Sequence, residues 1–211
     1  MKRTLVMLAL VALTAACILK TSTHTLYLEE DGTVTWTVLE TDARSDSEDP
    51  AARSDEEQQF LDAIAAGEHP TALALASLGG RDLGTLVLRD VRPFSVFTSA
   101  RFSSLEELAQ ALLDGLGVPG TATVTVNDGV WTLVVEMCLD EIAESDDNTL
   151  LALIEDAEAY RLVASRASFV EVSGFVIAED GRSVGFDLPS EEEITAQGGT
   201  LVLSLSWMDA P

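Results

Sequence analysis

Thr121-Ala122-Thr123-Val124-Thr125-Val126-Asn127-Asp128-Gly129-Val130-Trp131-Thr132-Leu133-Val134-Val135-Glu136-Met137-Cys138-Leu139 is the stretch that decides the fold. Threonine and valine alternate up to Asn127, as in a half-buried strand, and a second β-branched and apolar run follows Gly129. Asn-Asp-Gly between them supplies the positive φ of a tight hairpin turn. The same turn chemistry recurs at Asp31-Gly32, between Thr23–Leu28 and Thr33–Leu39, and at Asp180-Gly181, between Ser168–Ala178 and Ser183–Leu188. Thr200–Trp207 reads as a last strand, and Asp82–Val91 and Phe94–Phe102 as two more.

Helical patterns lie between the hairpins. One runs over Ala51–Ala66, with Phe60, Leu61 and Ile64 on one face and Gly67 as its stop. It follows a polar, acidic loop over Asp42–Asp55. Thr71–Leu78 is a shorter helix ended by Gly79-Gly80. Ser103 or Ser104 caps a third, with Glu106 or Glu107 completing a capping box and Leu105, Leu108, Leu112 and Leu116 as its core stripe. A fourth is expected over Asn148–Ala164, from Leu150, Ile154 and Ala157, after the acidic connector Asp140–Asp147. Pro189–Gln197 reads as a short helix or turn. The expectation is an α+β fold: one or two antiparallel sheets built from hairpins, with helices between them packed on one face. Gly117–Gly120 marks a candidate subdomain break near 117–121. No phosphate loop and no G-x-G-x-x-G is present, so a nucleotide fold has no support.

The start of the chain is of a different kind. Lys2 and Arg3 precede an apolar run from Leu5 to Leu13, then Thr14-Ala15-Ala16-Cys17. A basic segment, a short apolar segment and small residues make an export signal. The run ends at Lys20, short of the roughly 20 apolar residues a membrane-spanning helix needs. With Leu13–Cys17 as its lipobox, the segment resembles the signal of bacterial lipoproteins. The resemblance implies removal of residues 1–16 and lipidation of Cys17 as the first residue of an exported domain, 17–211. Attachment would then come from acyl chains, each buried CH₂ adding about 0.8 kcal/mol. Thr14 departs from the family, which favours Leu there. Ile18 is not the Asp that retains such proteins at an inner membrane, so the resemblance favours an outer membrane where the host has one.

Charge narrows the partners. The chain carries 36 Asp+Glu against 12 Lys+Arg, a formal net charge of −24, and Lys20 is its only lysine beyond Lys2. Such a surface repels nucleic acid and anionic headgroups alike, and attracts cations, basic proteins or cationic ligands. That the charge merely keeps an exported domain soluble is the stronger reading.

Candidate sites are few. Asp46, Glu48 and Asp49, and then Glu144, Asp146 and Asp147, are acidic clusters, but neither has the spacing of a calcium loop, so solvated loops are the stronger reading. His24 and His69 fall in different units with no ligand at zinc spacing, so no metal is assigned. With Cys17 lipidated, Cys138 has no intramolecular partner and reads as a small core hydrophobe. No serine sits in a G-x-S-x-G elbow, and no cofactor is implied. Trp36, Trp131 and Trp207 fall in strands, where core or sheet-face packing is the expected role; on an uncovered sheet face they would instead line an apolar groove for a lipid or peptide.

Phe169-Val170-Glu171-Val172-Ser173-Gly174, the turn at Asp180-Gly181 and the strand ending at Trp207 resemble the LppM-like bacterial envelope lipoproteins. The resemblance covers about a quarter of the mature chain and implies nothing catalytic. The C-terminal transmembrane helix that some of those proteins carry is not expected here. The function these features point to is that of a non-enzymatic envelope lipoprotein, binding or scaffolding a protein partner or an apolar ligand near the membrane. The alternative is a lipid-tethered hydrolase acting on envelope polymers through two carboxylates distant in sequence.

Overall fold

Asp128 and Gly129 both adopt positive φ, 49° and 80°. That is the backbone a two-residue hairpin turn requires, and Asn127 pairs directly with Val130 across it. The computed structural model describes residues 18–139, 150, 153–154, 157–187 and 199–209. Within them the chain forms β1 (Ile18–Leu28), β2 (Val34–Ser45), α1 (Pro50–Ala66), α2 (Pro70–Ser77), β3 (Arg81–Arg89), β4 (Phe94–Phe102) and α3 (Leu105–Gly115). These are followed by β5 (Gly120–Asn127), β6 (Val130–Cys138), β7 (Ala157–Ala164), β8 (Ala167–Ser173), β9 (Phe175–Ile177), β10 (Ser183–Phe186) and β11 (Thr200–Asp209).

Two sheets result, ordered β3-β4-β2-β1-β7-β10-β9 and β5-β6-β11-β8. The fold is α+β, as the hairpin-and-helix pattern predicts. In the larger sheet the inner face alternates cleanly: Val34, Trp36, Val38 and Glu40 of β2 and Phe94, Val96, Thr98, Ala100 and Phe102 of β4 are all buried. α1 and α2 pack on that face, through Phe60 against Phe94 and through Ala74, Leu75 and Leu78. α3 touches β4 of the larger sheet and β5 and β6 of the smaller one. Ser104 caps it, accepting from the Glu107 N–H at 3.1 Å. Its buried stripe takes in Leu113 beside Leu105 and Leu108, with Leu112 and Leu116 partly covered, because two sheets cover it rather than one.

Several expectations are corrected. The fourth helix does not extend to Ala164: Leu150, Leu153 and Ile154 are helical, but Ala157–Ala164 is strand β7. There Leu162 and Ala164 are buried and Tyr160 half-buried, a period of two that pairing with β1 enforces over the helical spacing upstream. β7 runs parallel to β1, so the larger sheet is mixed rather than purely antiparallel. Residues 42–45 belong to β2, beyond a bulge at Asp42 (φ 55°), and are not loop. Phe60, Leu61 and Ile64 are only half-buried, and α1 has no fully buried residue. Cys138 is a free, half-buried thiol at the end of β6, not a core residue. The connector 140–147 and the turn expected over 189–197 lie outside the described residues.

The run expected as one strand over Ser168–Ala178 is divided at Gly174. β8 joins β11 in the smaller sheet, whereas β9 joins β10 in the larger one. Gly174 has φ 78°, and a Cβ there would lie 2.3 Å from Leu203 Cδ2. Gly174→Ala is therefore expected to destabilise the protein by roughly 2 kcal/mol or more, from backbone strain and overpacking together. Gly181→Ala meets open space at φ 64° and is expected to cost only the strain, about 1 kcal/mol. Urea denaturation of the two variants compares the terms.

Candidate functional site

Two places in the fold concentrate polar chemistry. The first is sealed inside the larger sheet. Strand alternation puts Lys20, Ser22 and His24 of β1 on the same face as Val38 and Glu40 of β2, with Ser22 opposite Glu40 and His24 opposite Val38. His69 holds the N-cap position of α2 but makes no side-chain cap bond. Its Nε2 lies 2.9 Å from Glu40 Oε2, at ion-pair distance but off the line of a hydrogen bond. Glu40 Oε1 accepts from Thr71 Oγ1 at 2.8 Å and from Lys20 Nζ. His24 Nδ1 accepts from the Trp36 indole at 3.2 Å, which puts the proton of the neutral ring on Nε2. Tyr160 covers the His24 ring at 4.7 Å between centroids.

Burial alone would push the Glu40 carboxyl up, but His69 and Lys20 beside it overrule burial and hold it at about 2. Burial lowers His24 to about 4, against the pull of Glu40 and with some help from Lys20. Sequence spacing separates the two histidines into different units, whereas folding gathers both around Glu40. Their convergence depends on the β1–β2 register and on α2 folding back onto β2, neither of which a local pattern reports. Glu40, His24 and His69 have no exposed surface, and Lys20 alone of the four keeps part of its side chain in solvent.

The second place is a cleft of about 370 Å³ where the two sheets meet. The strands of the smaller sheet outrun α3: nine residues of β6 span roughly 30 Å and eleven of α3 roughly 16 Å. Trp131 and Trp207, opposite each other in β6 and β11, lie near this uncovered end. Their rings stack at 6.3 Å and 12°, with Trp207 buried and Trp131 39% exposed. Leu28, Leu105, Val124 and Ala167 add apolar wall, and Glu29, Glu30, Asp31 and Glu106 bring carboxylates. The Asp31 carboxyl is lowered by hydrogen bonds from Thr33 and by Arg101. Trp36 takes no part, being core beneath the larger sheet.

The other sequence candidates have local roles or lie elsewhere. Asp49 caps α1, accepting from Ala51 N–H at 2.9 Å, and Asp46 and Glu48 are exposed. Among the described residues no three His, Cys, Asp or Glu side chains are placed to share a cation. Cys17, Glu144, Asp146 and Asp147 lie outside the described residues.

No family model and no curated protein matches the chain. Among solved structures, the folded domain of LppM from Mycobacterium tuberculosis is similar over 92% of each chain, at 13% identity and a TM-score of 0.39. The Fcho1 Mu homology domain of Danio rerio with bound Eps15 peptide is similar over 92% of this chain and 79% of its own, at 8% identity and a TM-score of 0.23. The likeness to LppM is a weak one.

The sealed cluster makes stability depend on pH. Unfolded, His24 takes a proton below about pH 6.5, whereas folded it resists until about 4. Its share of stability is present above 6.5 and falls by roughly 3 kcal/mol as pH drops toward 4. Glu40 extends the loss: its share is complete above its ordinary value near 4.5 and disappears toward 2. Protonation of surface carboxylates relieves the repulsion of net charge −24 and acts the other way. The readout is therefore the difference between wild type and His24→Phe in chemical denaturation from pH 8 to 4. That difference is expected to shift in favour of the variant below pH 6.5.

Proposed function

We propose that the chain is an exported envelope lipoprotein, carried by acyl chains on Cys17, whose domain binds a ligand or partner without chemical turnover. The observation that carries this reading is an open, tryptophan-lined cleft, set apart from a titratable cluster whose Glu40, His24 and His69 are fully buried. β1 begins at Ile18, the residue after Cys17, so no spacer separates the anchor from the sheet. The domain thus sits against the membrane, with the outer membrane favoured by Ile18 where the host has one. Among the described residues no helix is long and apolar enough to cross a membrane.

A lipid-tethered hydrolase acting on envelope polymers is the second reading. It calls for facing carboxylates, one of them raised so that it delivers a proton near neutral pH. In the cleft, hydrogen bonds from Thr33 and the charge of Arg101 keep Asp31 ionised, the form in which it attracts a cation.

Expression in a lipoprotein-processing bacterium tests the anchor. The wild-type protein is expected to partition into detergent and to carry the mass of acyl chains on Cys17. Cys17→Ser is expected to lose both, because no basic patch replaces the chains. A Cys17→Ser protein still acylated and membrane-bound would overturn the lipoprotein reading.

A further inference from the structure

We infer that the cleft receives a Lys or Arg side chain of a basic polypeptide, held against Trp131 and ringed by carboxylates. This rests on the cleft being the binding surface proposed above and supplies the chemistry of its occupant. The floor is the exposed part of Trp131, backed by Trp207. An indole is the strongest aromatic partner for a cation, and stacking on a buried second indole fixes it in place.

Charge follows the same direction. Glu29, Glu30, Asp31 and Glu106 line the cleft with the guanidinium of Arg166, while Arg101 pairs with Asp31, so the carboxylates still outnumber the cations. The carboxylates are set in position beforehand. Glu29 Oε2 accepts from Ser165 Oγ at 3.0 Å, Glu106 Oε2 from the Val124 N–H at 3.2 Å, and Asp31 from Thr33 and Arg101. Arg166 reaches Glu30 at 3.3 Å, but both side chains are largely exposed, so an incoming cation displaces this pair at little cost. Beyond the rim, the net charge of −24 draws basic partners and repels acidic ones.

Position selects a polypeptide over a lipid of the anchoring membrane. β1 leads from Ile18, beside the anchor, to Leu28 in the cleft wall, eleven residues or roughly 35 Å of strand. The cleft thus lies at the end of the sheet away from Cys17, open to the surrounding compartment. Its walls carry leucine, valine and alanine, which suit the methylene stem of a long basic side chain as well as its charged head.

The test is titration of the mature protein in neutral-lipid nanodiscs with hexa-arginine, followed by tryptophan fluorescence and by the Trp131 indole N–H resonance. Cys17→Ser protein in solution is titrated in parallel, so failure of the anchor leaves the cleft readable. Saturable binding that moves the Trp131 resonance is expected. Trp131→Leu, which leaves every charge in place, is expected to weaken it about tenfold. Glu30→Gln and Glu106→Gln, the latter keeping an acceptor for Val124, are expected to weaken it several-fold, and Asp55→Gln on α1 not to change it. Unchanged far-ultraviolet circular dichroism and melting temperature certify each variant as folded.

Equal binding by wild type and Trp131→Leu would mean diffuse charge attraction only and would overturn the inference. Benzyltrimethylammonium binding as tightly as the peptide, through the same residues, would overturn the polypeptide occupant. Anilinonaphthalene sulfonate moving the Trp131 resonance while hexa-arginine does not would overturn the cationic chemistry and leave the cleft a binding site. No response to any of the three probes would overturn both.

Discussion

Burial of α3 from two sides governs the architecture. Its apolar residues, from Leu105 to Leu116, enter one continuous core with residues of both sheets. A single sheet covers one face of a helix, so a stripe this wide needs a second sheet. The chain provides for this by crossing between sheets. It passes from β7 to β8 at Ser165–Arg166 and returns at Gly174. The Ser165 N–H donates to Leu28 O at 3.0 Å, and the Asp187 N–H to Gly174 O at 2.9 Å, tying both crossings to their surroundings. The cleft is a by-product of the same arrangement, since it opens where the helix ends and the strands continue.

Hairpins were legible because their instructions are local. Asp128-Gly129 specifies its turn whatever surrounds it, and the capping serine of α3 is equally self-contained. The parallel pairing of β1 with β7 has no such signature, being made between segments far apart in the chain. The same blindness misread Ala157–Ala164, where a helical spacing upstream hid the alternation of Tyr160, Leu162 and Ala164. Gly174 reads locally as an ordinary residue of a strand, because its positive φ and Leu203 packed against it both arise only in the folded chain.

The candidate site was legible in the same uneven way. Trp131 and Trp207 were visible as strand tryptophans, but their stacking required the β6–β11 register. Glu40 gave no sign of itself among 36 acidic residues. Only the structure shows that, among the described residues, it is the acidic side chain taken fully out of water, with a lysine, a histidine and a threonine gathered on it. Sequence patterns locate charges on elements. They do not say which charge is taken out of water.

Lys20 gives that cluster an external handle. It is the single lysine beyond residue 2, its ammonium is bound to Glu40, and its side chain is 18% exposed. In the lipoprotein proposed above, with acyl chains on the amine of Cys17, it would also be the sole primary amine of the mature chain. Amine-directed reagents would then act at one address. The rate of their reaction reports how often the Glu40 pair comes apart, a local opening seen without any engineered label.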